Sequence, residues 1–254
     1  MHLEYRVRLP DHDWVVASRH KLIPSIYSAY DIKPDGMGKP EAVSYSGPTY
    51  VAIRSGKHSS STAATHAKDF ERLLDLEDFS SLLKTPTGEL KSVQIFTVDG
   101  GPDENPRYHK VINYAVQHFL DHLDGLFVAA NAPGLSKYSR CERTMSRLSK
   151  EMSTLLIPHK FGNHLDSGGN TIDVELEKEN FKHAGECLAD VWSGMVVDKF
   201  NVVAEYIQPD EELPDLRAVS PKWYVEHVRE SQYMVQVIFF PSVKKKRFLK
   251  SSLD

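Results

Sequence analysis

The sequence predicts a mixed α/β fold, in which helices flank a mixed β-sheet and a mainly helical C-terminal extension follows. Short apolar runs rich in β-branched residues alternate with stretches whose apolar residues recur at helical spacing. Along the chain, several antiparallel-looking strands come first, followed by helix, strand, helix, strand and helix. This order is typical of helices packed on a sheet, and neither a repeat nor a GxGxxG motif is present.

Composition restricts the class of protein. The 254 residues are 41% hydrophobic and 26% charged, as in ordinary globular proteins. No apolar run is long enough to span a bilayer and no signal-peptide h-region is recognisable, so no membrane partner is expected. Two cysteines, Cys141 and Cys187, lack CxxC neighbours, which excludes a disulfide framework or a zinc ribbon and indicates an intracellular, reducing compartment. With a net charge of −4, any contact with a polyanion must come from a local basic patch.

The first part of the chain predicts strands. Residues 1–9 alternate apolar and polar side chains with a period of two, which indicates a half-exposed strand, and residues 14–17 could pair with it as a hairpin. Residues 22–30 and 49–54 are two further strand candidates. A Gly/Pro-rich connection between them is typical of a surface loop.

Three helices are predicted by apolar residues at helical spacing. The first follows the potential N-caps of 58–62, the second opens at Asn105 and Pro106, and the third covers residues 139–156. Their expected inner faces are Ala63, Ala67, Phe70 and Leu74; Ile112, Ala115, Phe119 and Leu123; and Cys141, Met145, Leu148, Met152 and Leu155.

Beyond Pro158 the composition changes. Residues 174–192 predict an amphipathic helix, 208–215 an acidic linker, and 220–238 one more helix or strand. The basic run 244–247 could act as a nuclear import signal or as an arm that contacts DNA. The predicted division is a core at 1–158, an extension at 159–238 and a basic, disordered tail at 239–254.

Two carboxylates mark a candidate site. Asp99 follows the apolar run 93–98, which predicts a buried strand, and it precedes a Gly-Gly-Pro turn. A second apolar strand, 126–130, leads through the turn from Asn131 into the helix that carries Glu142 in its first turns. Open α/β sheets build their sites at such strand ends, and carboxylate oxygens suit divalent hard cations.

These segments resemble the ribonuclease-H-like catalytic core of DDE transposases and retroviral-type integrases. Val98-Asp99-Gly-Gly-Pro resembles the second-aspartate motif of that family. The segment from Asn131 to Arg143 resembles its third-carboxylate motif, in which a Pro/Gly turn precedes a helix bearing Glu followed by Arg. Glu142 follows Asp99 by 43 positions, within the variation of the family. The likeness covers residues 20–156, including the element order.

The resemblance implies metal-dependent DNA strand cleavage and transfer, with Asp99 and Glu142 as catalytic residues and as ligands of Mg²⁺ or Mn²⁺. Asp103 and Asn131 are accessory candidates. The family also needs a first Asp on the first strand of the sheet, and nothing before Leu22 fits that position. The resemblance therefore implies a transposase-derived core that lacks its first strand and has impaired activity.

DNA is the partner that the resemblance implies. Phosphate contacts are expected from four basic residues around the third helix, Lys137, Arg140, Arg143 and Arg147. A solvated helix face is the alternative for the same residues. Active transposases assemble as multimers, so a homo-oligomer is left open, and a nuclear location is expected in a eukaryote.

Other interpretations of the same residues are open. Asp99 can stabilise a turn before Gly-Gly, Glu142 can be a helix-start carboxylate favoured by the macrodipole, and Asp103 can simply precede a helix. For the whole chain, one alternative is a non-catalytic DNA- or protein-binding module that retains the fold. Another is an unrelated metal-dependent phosphohydrolase.

Overall fold

The computed structural model of the chain describes residues 14–17, 20–132, 134, 139–152, 164–167 and 170–239. Within these ranges the chain forms six α-helices and nine strands, arranged as two mixed sheets where the sequence predicted one. The strands are β1 (Trp14–Ala17), β2 (His20–Ser28), β3 (Thr49–Ser55), β4 (Val93–Val98), β5 (Gly125–Ala130), β6 (Val196–Val197), β7 (Phe200–Tyr206), β8 (Val228–Glu230) and β9 (Met234–Ile238). The helices are α1 (Ala63–Asp75), α2 (Glu77–Leu83), α3 (His109–His122), α4 (Arg140–Met152), α5 (Val174–Ser193) and α6 (Pro221–His227).

The first sheet is built around β3. Its order is β1-β2-β3-β7-β6, with β3 and β7 parallel and the other neighbours antiparallel. All seven residues of β3 are buried, because helices cover both faces of the strand. Val51 and Ile53 pack in the cluster that includes Leu188 of α5, whereas Tyr50 packs with Phe79 of α2. A strand buried on both faces is expected to carry a continuous apolar run, which explains residues 50–53 of β3.

The second sheet has the order β4-β5-β9-β8, with β4 and β5 parallel. Helix α3 covers one face, where Ile112 and Phe119 pack against Leu126. On the other face Val93 and Ile95 are each 54% exposed. The prediction of a buried strand before Asp99 is therefore wrong, because β4 lies at the edge of this sheet and is covered on one face only, where Phe96 contacts Phe70 of α1 and His118 of α3.

The C-terminal extension takes part in both sheets. β7 pairs with β3 in the first sheet, and β9 pairs with β5 in the second. The predicted amphipathic helix corresponds to α5, and the segment predicted as one more helix or strand forms α6, β8 and β9. The extension was expected to be mainly helical, but its four strands also complete the two sheets. Val235 and Val237 of β9, for example, are fully buried in the second sheet.

The predicted helices are present with adjusted ends. The inner faces predicted for α1 and α3 are confirmed, except that Leu73 is more buried than Leu74. α3 begins at His109 and not at Asn105, because the Oδ1 atom of Asn105 accepts the backbone N–H of Arg107 in a turn. α2 lies in a stretch for which no element was predicted. Residues 1–9, Leu155 and 240–254 lie outside the described residues. Among the helices that are described, none has both the length and the hydropathy to cross a bilayer.

A buried ion pair joins α1 to β3. The Nη1 atom of Arg54 donates to Oδ2 of Asp69 at 2.8 Å, and Nη2 donates to Oδ1 at 2.5 Å. Both side chains are fully buried. Glu211, from the segment predicted as an acidic linker, accepts from Arg54 at 3.3 Å and from Arg72 at 2.6 Å. Because buried charges are costly unless they are paired, this network makes the position of α1 depend on Asp69.

Asp69→Ala is expected to lower the free energy of unfolding by about 3–5 kcal/mol, because it leaves the buried guanidinium of Arg54 without its bidentate partner. The matched control is Glu71→Ala on the same helix, which removes a half-exposed ion pair with Lys68. It is expected to cost less than about 1 kcal/mol. Urea unfolding followed by circular dichroism measures both changes. Equal effects of the two substitutions would contradict a special role for the buried pair.

Candidate functional site

The carboxyl ends of β4 and β5 bring Asp99 and Asn131 together. The two strands are parallel, with Val98 beside Ala130 in the register. The backbone N–H of Asn131 donates to the carbonyl oxygen of Val98 at 3.2 Å, so the residues that follow each strand lie side by side. Asp99 is exposed and Asn131 is half-buried. The expectation that Asp99 stands at a strand end is thus confirmed, and its neighbour there is an amide.

A histidine of α1 contacts the turn that follows Asp99. The Nε2 atom of His66 lies 3.2 Å from Oδ2 of Asp103, and its Nδ1 atom lies 3.5 Å from Oε1 of Glu104. His66 also has two hydroxyl neighbours, because Ser61 Oγ is 2.9 Å from Nε2 and Tyr27 Oη is 2.5 Å from Nδ1. The imidazole is therefore held between two carboxylates and two hydroxyl groups.

The partners of Tyr27 indicate how this imidazole is protonated. Tyr27 donates its hydroxyl hydrogen to Oδ2 of Asp69 at 2.7 Å, so its oxygen is left to accept a hydrogen from Nδ1 of His66. Nε2 of His66 faces the carboxylate of Asp103, which accepts hydrogen bonds and does not donate, so this nitrogen is a donor as well. An imidazole protonated on both nitrogens satisfies these two acceptors together, and this is the protonation state that we assign to His66.

Electrostatics agree with this assignment. Burial would lower the pKa of His66, but the hydrogen bond to Asp103 and the negative charges of Glu104, Asp103 and Asp69 raise it overall. The hydrogen bond from His66 lowers the pKa of Asp103 against the opposing effect of burial. Burial raises the pKa of Glu104, and the nearby charges of Asp103 and Asp99 act in the same direction, although His66 opposes them.

Glu104 ends the turn after β4, and it interacts electrostatically both with that turn and with the first turn of α4. A hydrogen bond from the backbone of Asp99 and the Asp99 charge both act on the carboxyl of Glu104. The charge of Glu104 also acts on Cys141, whose pKa is raised to about 11, mainly by burial. Glu142 is the next residue and also acts on Cys141. Electrostatic interactions thus link Glu104, which was not among the predicted site residues, both to Asp99 and to the start of α4.

The described carboxylates do not fit a two-ion site. Divalent hard cations take six or more oxygen ligands, and a pair of ions needs a bridging carboxylate. Asp103 and Glu104 are engaged by His66, which leaves Asp99 and half-buried Glu142. Within the described ranges, no group of three or more His, Cys, Asp or Glu side chains is arranged to hold a metal ion. The prediction that Asp99 and Glu142 bind Mg²⁺ or Mn²⁺ stays a prediction.

The basic residues of α4 differ in how available they are. The guanidinium of Arg140 lies 4.8 Å from the ring centroid of Tyr45 and donates to the carbonyl of Pro40 at 3.4 Å. Arg147 forms an ion pair with Asp198 at 2.9 Å. Arg143 is exposed, with its guanidinium 5.6 Å from the same Tyr45 ring. Lys137 lies outside the described residues. Arg143 is therefore the predicted DNA contact that is most open to a ligand.

Sequence reasoning missed the residues that orient the turn. Arg54 directly follows the apolar run 50–53 within β3, and a charge next to such a run predicts a buried partner. Asp69 and Thr65 also lie on the buried side of α1. Neither signal identifies His66, because its contact with Asp103 joins residues 37 positions apart.

Comparison of the chain with protein-family models, with curated proteins and with solved structures finds no match. What the chain can do is therefore inferred from its own residues and contacts.

His66→Gln is expected to destabilise the chain in a pH-dependent way. A group whose pKa is raised on folding stabilises the protein fully below its unfolded pKa, near 6.5, and that stabilisation disappears as the pH rises through the folded value. The difference in unfolding free energy between wild type and variant should therefore be largest below pH 6.5 and shrink above it. Urea unfolding across this range measures the difference. His109→Gln, at an exposed histidine that begins α3, is the control. A pH-independent difference for His66→Gln would argue against a charged imidazole.

Proposed function

We propose that the chain is a transposase-derived protein with a ribonuclease-H-like, DDE integrase-type core that binds DNA. Its ancestral activity is metal-dependent DNA strand cleavage and transfer, and that activity is impaired in this chain. The observation that carries the proposal is the parallel pairing of β4 and β5, which sets Asp99 and Asn131 side by side at the carboxyl edge. Glu104 supports it, because its charge reaches both Asp99 and the start of α4, beside Glu142.

DNA binding is supported by the position of α4. Its exposed Arg143 follows Glu142 directly, so a phosphate bound to Arg143 would be held by the same helical turn that carries Glu142. Contacts of this kind are made to the DNA backbone, are independent of sequence and weaken with salt. Arg147 adds positive charge on the same helix, although Asp198 partly neutralises it. In a eukaryotic cell such a protein would act in the nucleus.

Impaired catalysis is supported by the ligand set. The family chemistry needs three carboxylates, and in the described residues the acidic side chains next to Asp99 belong to a network centred on the imidazolium of His66. A cation in that position competes with a metal ion for Asp103 and Glu104. The contacts of His66 with Asp103 and Glu104 also favour the second candidate function, a non-catalytic module that retains the fold to bind DNA or a protein.

Arg143→Ala is expected to weaken binding of duplex DNA to a similar extent for all sequences. It should also reduce the slope of log K against log salt by about 1, because one phosphate contact is lost. Lys222→Ala is the matched control, since the side chain of Lys222 is 85% exposed on α6. Helix α6 packs on the second sheet, whereas α4 contacts β2 of the first sheet. Fluorescence anisotropy at several salt concentrations measures both variants. An equal effect of the two substitutions would mean that α4 is not the binding surface, and no binding by wild type would reject DNA as the ligand.

A plasmid-nicking assay tests the expected loss of catalysis. Supercoiled DNA incubated with the chain and Mg²⁺ or Mn²⁺ is expected to remain uncut above background, because only two of the three carboxylates that the family chemistry needs have candidates here, Asp99 and Glu142. Asp99→Asn should then behave as the wild type does. If the wild type nicks DNA with either ion and Asp99→Asn abolishes the activity, the family proposal survives but the proposed impairment is rejected.

A further inference from the structure

The outer edge of β4 has no strand partner among the described residues. The carbonyl of Val98 accepts from Asn131, and the carbonyl of Ser92 accepts from Asp124 and Gly125, so even-numbered residues direct their backbone groups toward β5. Because backbone direction alternates along a strand, the N–H and C=O groups of the odd-numbered residues point away from the sheet. The three residues with outward backbone groups are Val93, Ile95 and Thr97.

This edge lacks the features that normally prevent strand addition. Natural edge strands carry charged side chains, proline or a bulge. β4 reads Val-Gln-Ile-Phe-Thr-Val, without a charge or a proline, and it pairs with β5 over six consecutive residues without a shift in register. Val93 and Ile95 are each 54% exposed. An open, uncharged and regular edge of this kind accepts another strand through main-chain hydrogen bonds.

We propose that β4 pairs with β4 of a second copy of this chain, antiparallel and about a two-fold axis through Ile95. In that register Ile95 faces its own equivalent, and Val93 faces Thr97 of the second copy. All three outward-pointing residues then form hydrogen-bonded pairs, each of which exchanges two N–H···O bonds. The two four-stranded sheets become one continuous sheet.

The faces of the strand exclude a slip by one residue, and a slip by two residues would leave fewer of the outward-pointing residues in hydrogen-bonded pairs. A slip by one residue would place the exposed side chains of one copy opposite the α3-covered side chains of the other, which a strand with one buried face does not allow. The axis through Ile95 keeps exposed residues beside exposed residues. Such a closed, isologous contact is the commonest symmetry among homo-oligomers.

Charge complementarity favours a second copy as the occupant. When the register is extended by two residues at each end, the side chain of Lys91 lies near Asp99 of the second copy. At the other end, Asp99 lies near Lys91 of the second copy. Since β4 itself is uncharged, no like charges meet along the pair. The backbone N–H of Lys91 already donates to Leu83 at 2.7 Å, so the strand pairing ends at Val93 and only the Lys91 side chain takes part.

Sedimentation of the full chain tests the proposal. A single pair of short strands makes a small interface, below about 1,200 Å², so a concentration-dependent monomer–dimer equilibrium is expected. Ile95→Lys places two ammonium groups opposite each other on the axis and should abolish the dimer. The matched control is Val196→Lys on β6, the edge strand of the first sheet, where the side chain is 62% exposed. Circular dichroism verifies that both variants fold.

Cross-linking fixes the register. In a hydrogen-bonded antiparallel pair the opposing Cα atoms are about 5.5 Å apart, within the range of a disulfide. Ile95→Cys is therefore expected to form a covalent dimer under mild oxidation, whereas Val196→Cys and the wild type, with its two half-buried cysteines, are not. A chain that is monomeric at all concentrations would overturn the proposal. So would a dimer that survives Ile95→Lys, or equal cross-linking of Ile95→Cys and Val196→Cys.

Discussion

The ion pair between Arg54 and Asp69 places most of the candidate site. It fixes α1 on the buried strand β3, and Asp69 also accepts the hydroxyl hydrogen of Tyr27 from β2. His66 lies one turn before Asp69 on the same helix and contacts Tyr27 in turn. Its other nitrogen then meets Asp103 in the turn that follows β4. A continuous chain of polar contacts thus runs from the first sheet to the carboxyl edge of the second.

The C-terminal extension belongs to the same network of polar contacts. Glu211 accepts hydrogen bonds from Arg54 and Arg72, so the acidic segment that follows β7 lies against α1. Further along, Arg217 pairs with Asp121 of α3 before the chain enters the second sheet. One connection therefore contacts the helices that cover each sheet. A core bounded at 158 would lack both this connection and the strands that complete the sheets.

The turn between Asp99 and Glu104 combines features of a site and of a structural link. Its exposed carboxylate, Asp99, stands where α/β sheets bind ligands, while Asp103 and Glu104 contact the partly buried imidazole of His66. Opposite shifts in the pKa values of Asp103 and Glu104 follow from this environment, because Asp103 has the shorter contact with His66 and Glu104 is affected more by burial. The contacts with His66 stabilise the turn, and they leave fewer carboxylate oxygens for a metal ion.

The sequence by itself determined the local elements: β2, β3, β5, the inner faces of α1 and α3, and Asp99 at the end of β4. These depend on periodicity and turn chemistry, which neighbouring residues encode. Only the tertiary structure decided that there are two sheets, that β4 is an exposed edge and that His66 reaches Asp103. Those features depend on partners far apart in the chain, such as β5 with β9 or Arg54 with Glu211. Local sequence patterns cannot specify them, because the free energy of each contact is realised only when both partners are already in place.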